Sequence, residues 1–317
     1  MKNDSRIFVA GHRGLVGSAI VRRLESAGFS QLIVRSRAEV DLRNHAKTAC
    51  FFAAERPEYV FLAAAKVGGI LANSTYPADF IYDNLAIQNN VIDSAYRHGT
   101  VKLAFLGSSC IYPRLASQPI LESSLLSGPL EGTNECYAIA KIAGVKLAQA
   151  YHKQYGFNAI NIMPTNLYGP GDNFDLQTSH VLPALLRKAH EAKQSGAVEL
   201  PVWGSGTPLR EFLHVDDMAD ACVYLMEHYD EPEIVNVGTG TDVSIRELAE
   251  IICRVTGFTG MLKFDASKPD GTPRKILDVS KLAGLGWRSR TVLEEGIAGT
   301  YRWFLQHGLE ANSNVQT

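Results

Sequence analysis

Three glycines, Gly11, Gly14 and Gly17, stand three residues apart between a short apolar run, Arg6 to Ala10, and a helix-like segment, Ser18 to Ala27. That spacing at a strand-to-helix junction narrows what the chain can fold into. Gly11 permits a tight turn at the strand end. Gly14 lets a pyrophosphate approach the backbone, and Gly17 lets the helix pack close to the sheet. Free N–H groups at the helix start then face the phosphates. A glycine triplet also occurs in ordinary strand–helix turns. Its place at the first βα junction is the context that points to a dinucleotide.

The rest of the first half keeps the same rhythm. Residues 31–35 read as a second strand and 45–55 as a helix broken by Pro57. Tyr59 to Ala65 is a third strand, and Pro77 opens a helix to about His98. Lys102 to Leu106, helix 137–154 and strand 158–163 follow. Strands alternating with helices of crossover length predict an α/β fold, a doubly wound parallel sheet of the Rossmann type. Past residue 175 the segments shorten. Helices are expected at Val181 to Gln194, Asp216 to Glu227 and Ser244 to Val255, the last with a Ser244/Glu247 capping box. Short strands are expected at Val198 to Val202, Glu211 to His214 and Ile234 to Val237. The expected division is a dinucleotide-binding Rossmann domain over 1–175, with a return segment 214–240, and a smaller α/β substrate-binding domain over 176–317. Glu310 to Thr317 is polar and expected to fray.

Composition removes whole classes of function. The formal net charge is −2, so there is no basic stripe for nucleic acid or for an anionic membrane surface. No stretch reaches membrane-span length, and the first residues do not read as a signal peptide. Five cysteines (Cys50, Cys110, Cys136, Cys222 and Cys253) are scattered and lack metal-ligand spacing. They read as reduced thiols of a cytoplasmic protein without a metal site. The helix over 78–97 carries two apolar stripes, Phe80/Asn84/Ile87/Val91 and Ile81/Leu85/Ile92/Tyr96. One lies on the sheet. The other needs a neighbouring helix of the same chain or a second subunit, hence an expected homodimer.

The cofactor choice turns on the end of strand two. An acid there usually holds a free ribose 2′-OH. Here the residues are Val34, Arg35, Ser36 and Arg37, with Arg13 inside the glycine turn. Guanidinium groups favour a 2′-phosphate, so NADP(H) is expected over NAD(H). The alternative is that Arg35 and Arg37 are solvated loop charges. Asp41, before Leu42, suits either the adenine amino group or the cap of a helix from Arg43 onward.

Tyr137 and Lys141 lie one helical turn apart. A tyrosine with pKa ~10 transfers protons poorly at neutral pH, and a nearby ammonium is expected to lower that value. Tyr-x-x-x-Lys alone is usually a solvated helix face. Ser108, in Gly107-Ser108-Ser109-Cys110 at the carboxyl end of strand four, strengthens it, because ligands of open α/β sheets bind there. Both serines could also be simple turn formers.

The glycine turn, Ser108, Tyr137 and Lys141 together resemble the extended short-chain dehydrogenase/reductase family. Residues 11–17, 63–70, 107–113, 163–170 and 265–275 narrow the likeness to its sugar-nucleotide epimerase–reductases, from about Arg6 to Gln306. The resemblance implies that GDP-4-keto-6-deoxy-D-mannose is epimerised at C3 and C5 and then reduced at C4 by NADPH. Cofactor contacts are implied along Gly11, His12, Arg13, Gly14, Leu15, Val16 and Gly17, then at Arg35, Arg37, Asp41 and Leu42. Leu106, Gly107, Ser108, Ser109, Lys141, Pro164, Thr165, Asn166, Leu167 and His180 follow. Catalysis is implied for Tyr137, Lys141 and Ser108, with Cys110 and His180 as the epimerisation acid and base. The GDP-sugar is implied to meet Lys188, Trp203, Arg210 and Asp270. Bland readings stand beside these: Cys110 as a small buried hydrophobe, His180 as a capping or surface residue, Trp203 as core. Asn166 either orients substrate or ties down its loop. Cys136 replaces the proline the family leads one to expect. Met163 stands where many extended members carry arginine. The rival readings are a 4-epimerase or 4,6-dehydratase of the same fold, and a non-catalytic NADP-binding protein.

Overall fold

The structure, a computed structural model, describes residues 1–268 and 270–307. The fraying expected for Glu310 to Thr317 lies outside them. β1 (Ile7–Ala10) runs into α1 (Leu15–Ser26) through the glycine turn. β2 (Leu32–Ile33), α2 (His45–Glu55), β3 (Tyr59–Leu62), α3 (Ile70–Thr75), α4 (Pro77–Arg97), β4 (Lys102–Leu106), α5 (Glu135–Tyr155) and β5 (Ala159–Pro164) follow. β2 is shorter than the expected 31–35. As an edge strand it meets only β1, and only Leu32 and Ile33 find partners, Ile7 and Phe8.

The second half contains β6 (Asn166–Tyr168), α6 (Val181–Ser195), β7 (Glu199–Trp203), β8 (Leu209–Arg210), β9 (Phe212–His214) and α7 (Val215–His228). It continues with β10 (Ile234–Val237), β11 (Val243–Ser244), α8 (Ile245–Thr256), β12 (Met261–Asp265), β13 (Arg274–Lys275), α9 (Ser280–Gly284) and α10 (Leu293–His307). The Ser244/Glu247 capping box is present, and α8 stops at Gly257 in the left-handed region. β12 pairs with β7. Its alternation, Met-Leu-Lys-Phe-Asp, is a strand signal that the sequence reading passed over.

The main sheet has the order β10-β5-β4-β3-β1-β2, with every pairing parallel. β1, β4, β5 and β10 are buried along their whole length. That is why they read as continuous apolar runs and not as alternation. Residues of α1 and α7 pack on one face with Ile7, Val9 and Phe61. Residues of α2, α4 and α5 pack on the other with Phe8, Val60 and Phe105. A third cluster joins α6, α8 and α10 around Leu186, Leu248 and Phe304. Each fully buried Leu or Ile contributes about 1.5–3 kcal/mol.

The chain leaves β1 for β2 on one side and then crosses to β3 on the other. Strand order therefore reverses at β1, and a crevice opens past the carboxyl ends of β1 and β3. α4 finds its partner in α5. Gln88 Nε2 donates to the Ala140 carbonyl at 2.6 Å, and the Tyr96 ring stacks on Tyr155 with centroids 4.5 Å apart. Tyr82 on α4 and Ile139 on α5 stay exposed. Among the described residues, no helix is long and apolar enough to cross a membrane.

Candidate active site

The crevice is built first by the glycines. Gly11 has φ +83°, and a Cβ there would lie 2.8 Å from the Ala64 backbone at the end of β3. A Cβ on Gly17 would lie 2.1 Å from the Gly11 carbonyl oxygen. Gly14 differs: its nearest neighbour is that same oxygen at 3.4 Å, so its face is open. Among the described residues no side chain caps α1, which leaves its first N–H groups for an anion. His12, Leu15 and Val16 lie on the same turn and are partly exposed, and Arg13 is exposed. These residues fit a dinucleotide diphosphate.

Past β2, the expected cation cluster is only partly assembled. The Arg35 guanidinium pairs with Glu55 on α2 and donates to the Val34 carbonyl. Arg13 and Arg37 are exposed, and among the described residues neither joins an ion pair. Glu39 accepts from Ser36 N at 2.7 Å and Ser36 Oγ at 2.6 Å. Those bonds, together with Arg35 and Arg13, hold its carboxyl below the usual range. Asp41 does not cap a helix. Asn44 caps α2 by accepting from Lys47 N. Asp41 accepts instead from Arg43, with NH2 at 2.7 Å, and this lowers its pKa to about 2. Arg43 also reaches Asp83 on α4 at 3.2 Å, and Asn90 of the same helix donates to the Leu42 carbonyl at 2.9 Å, so Asp41 and Leu42 are tied to α4.

The catalytic candidates converge past β4. Leu106 and Gly107 end the strand, and Ser108 caps a short 3-10 turn over Ser109–Ile111 through Cys110 N at 3.2 Å. Tyr137 and Lys141 sit in the first two turns of α5, with Ala138 and Ala140 buried between them. The Lys141 ammonium is 4% exposed, donates to the Leu106 carbonyl at 2.8 Å and lies 5.0 Å from the Phe105 ring centroid. Burial lowers its pKa to about 8. The expected lowering of the Tyr137 pKa does not occur. Burial pushes that hydroxyl up, nearby Cys110 adds to the effect, and a hydrogen bond with Ser108 opposes it. The physical reason is direction: Lys141 points its charge at β4, 6.0 Å from the Tyr137 ring centroid.

Cys110 is half-buried. Asn134 Nδ2 donates to its sulfur at 3.3 Å, and the Lys275 ammonium lies at 3.5 Å. His180 occupies the N-cap position of α6 but makes no side-chain cap. As a whole residue His180 is exposed. Surrounding protein lowers its pKa, with the positive Lys275 as the second cause. Pro164 ends β5 beside β10, and Thr165 N donates to the Val237 carbonyl at 3.0 Å. Asn166 ties its loop, since its Nδ2 donates to the Glu211 carbonyl at 2.8 Å. Leu167 packs into the sheet core.

Trp203 is no core residue: it is 54% exposed, between the ammonium groups of Lys188 at 5.1 Å and Lys268 at 5.4 Å from its centroid. Burial lowers the Lys188 pKa. Arg210 donates to the Asp270 carbonyl at 3.4 Å, and Asp270 accepts from Ser205 N at 2.7 Å. Sequence reasoning missed Asn134, Lys275 and Glu211. Glu211 is fully buried and accepts from the backbone of Thr239, Gly240 and Leu277. Its signal was faint, a lone acid inside an apolar strand.

A crevice with open helix N–H groups beside a Ser-Tyr-Lys constellation defines a dinucleotide-dependent enzyme of the extended short-chain dehydrogenase/reductase class. The chain belongs to the NAD-dependent epimerase/dehydratase family, whose pattern matches residues 7–238. Its relatives are narrower. It is 62% identical over 307 residues to "Probable GDP-L-fucose synthase 1" of Oryza sativa subsp. japonica, covering 96% of this chain and 94% of that one. It is 57% identical to "GDP-L-fucose synthase" of Escherichia coli (strain K12), covering 96% and 98%. Among solved structures, a GDP-L-fucose synthetase from Naegleria fowleri bound to NADP aligns with a TM-score of 0.89 at 31% identity, covering 97% and 96%.

Proposed function

We propose that this protein converts GDP-4-keto-6-deoxy-D-mannose to GDP-L-fucose, by epimerisation at C3 and C5 and NADPH-dependent reduction at C4. The convergence of Ser108, Tyr137 and Lys141 with Cys110 carries the reading, and His180 joins it through Lys275, which feels both it and Cys110. The names of the relatives and the NADP-bound structure support it. NADPH, when bound, supplies the hydride for C4. Its diphosphate would lie on the open face of Gly14, and the exposed Arg13 and Arg37 would meet the 2′-phosphate, with Arg35 already paired to Glu55.

The chain's own residues do the rest. Ser108 and Tyr137 donate to the C4 oxygen, which stabilises the enolate formed when C3 or C5 loses its proton. Cys110 and His180 form the acid–base pair for those carbons, both tunable near neutral pH. Tyr137 then gives its proton to the C4 oxygen as the ketone is reduced. A hydroxyl held in the protonated form suits both duties, and burial keeps it so. Lys188 and Arg210 suit the diphosphate, Trp203 a base, and Asp270 nucleoside donors.

The same proposal takes residues 1–175 with 214–240 as the cofactor domain and 176–317 as the substrate domain. It includes a homodimer through exposed Tyr82 and Ile139, and a cytoplasmic site of action, in keeping with five free cysteines. The test mixes protein, NADPH and GDP-4-keto-6-deoxy-D-mannose. Loss of absorbance at the nicotinamide band, with GDP-L-fucose identified by NMR, is the expected result. No NADPH oxidation with this substrate would defeat the proposal.

A further inference from the structure

A cavity of about 50 Å³ lies beside Cys110, walled by Gln118 and Asn134 on one side and by Thr272 and Lys275 on the other. Its charged groups are mostly paired already. Arg114 meets Glu131 at 3.2 Å, and Arg274 meets Asp242 at 2.6 Å. Lys275 is different. Among the described residues it joins no ion pair, and its ammonium faces the Cys110 sulfur at 3.5 Å. Asn134 Nδ2 approaches the same sulfur at 3.3 Å. Tyr137 on α5 and His180 at the start of α6 are the other titratable groups coupled to this pair.

The fold imposes this placement. Lys275 sits opposite Arg210 in the β8–β13 pair, and its carbonyl accepts from Glu211 N at 3.3 Å. On the far side, Ile276 N donates to Gln118 Oε1 at 2.9 Å, and Ile120 N donates to the Ile276 carbonyl at 2.8 Å. Leu277 N donates to the buried Glu211 carboxylate at 3.0 Å. The strand is thus pinned on both sides, and its lysine is delivered to the cysteine across 165 residues of sequence.

We propose that Lys275 is a positioning residue that stabilises the Cys110 thiolate. The proposal rests on the reading of Cys110 as half of the acid–base pair. Only the thiolate removes a carbon-bound proton, and an ammonium within a few ångströms favours it over the thiol. The Asn134 amide stabilises the same charged form by hydrogen bonding. The same positive charge contributes to the lowered pKa of His180, which makes its imidazolium the stronger acid toward the enolate.

The test follows alkylation of Cys110 by iodoacetamide across pH, read by mass spectrometry of its peptide, without substrate. Cys50, exposed on α2, is the reference in the same digest. Lys275→Met is expected to raise the midpoint for Cys110 by about one pH unit, a roughly tenfold slower reaction near neutral pH, with Cys50 unmoved. Lys275→Arg keeps the charge and restores most of the rate. An unchanged Cys110 profile in a folded Lys275→Met protein overturns the proposal. A second measurement follows deuterium entering C3 and C5 of GDP-4-keto-6-deoxy-D-mannose from solvent. Exchange by Lys275→Met is expected to fall at neutral pH and recover as pH rises. If wild type shows no exchange while the alkylation shift holds, the proposed function fails and the lysine–thiolate coupling stands.

Discussion

Gly14 and Gly17 belong to one turn, yet alanine has opposite consequences at each. At Gly17 the new Cβ lies 2.1 Å from the Gly11 oxygen, 2.6 Å from its carbon and 2.9 Å from His12 N. All three are backbone atoms, so no side chain can swing aside. Reaching an ordinary contact of 3.4 Å requires a retreat of about 1.3 Å by α1 or the turn. Alanine gains about 1 kcal/mol of helix propensity there. Over-packing against a rigid neighbour costs about 1–3 kcal/mol or more. Because the retreat is large, the upper end applies, and a net loss of about 2 kcal/mol is expected. For a chain of this size that is a fall in Tm of roughly 3 °C. At Gly14 the backbone is extended (φ −77°, ψ 169°) and the only close atom is at 3.4 Å, so alanine fits. Stability without cofactor should stay within about 0.5 kcal/mol. The methyl group instead meets the approaching diphosphate, and NADPH affinity should fall at least about tenfold, ~1.4 kcal/mol. Differential scanning calorimetry and NADPH fluorescence titration read the two effects separately. Wild-type affinity in Gly14→Ala, or a wild-type Tm in Gly17→Ala, would refute the reasoning.

Other consequences follow from the same geometry. Arg13→Ala and Arg37→Ala should each weaken NADPH binding about tenfold and leave NADH binding unchanged, whereas Arg35→Ala should do less, because Glu55 already holds that guanidinium; competition titrations of the two cofactors check this. Tyr137→Phe should slow NADPH oxidation by roughly 10²–10⁴-fold with NADPH affinity retained, as measured by steady-state kinetics beside direct titration. Asp172 is 6% exposed, its Oδ2 lacks a partner among the described residues, and burial raises its pKa to about 7 from 3.8. The folded state therefore keeps a proton that the unfolded state has lost between pH 4 and 7. That stabilisation is complete below 3.8 and disappears as pH rises through about 7. Asp172→Asn should accordingly raise stability by roughly 4 kcal/mol at pH 8 and by well under about 1 kcal/mol at pH 4, which urea unfolding at the two pH values would reveal.

Much of the molecule was legible before any coordinates. The glycine turn, the run of parallel strands, the Tyr137–Lys141 spacing and the Ser244 capping box are local features. Each depends on residues within one or two turns of one another, where steric and hydrogen-bond rules leave few alternatives. What escaped it was non-local. Arg35 reads as a phosphate ligand or a solvated charge, and only the fold brings Glu55 of α2 to its guanidinium. Lys141 was expected to acidify Tyr137, but the end of β4 supplies a carbonyl that turns the ammonium away.

The sequence by itself determined the class of fold, the dinucleotide crevice and the chemical groups available, because periodicity and spacing along one chain specify which side chains share a face. Only the tertiary structure decided which of those groups meet. The Lys275 ammonium reaches Cys110 because β13 pairs with β8 in one register and Glu211 and Gln118 pin its flanks. A one-residue slip would turn that lysine to the other face of its strand. Charge and burial at a site are sums over such long-range pairings, and they exist only once the sheet has set its order.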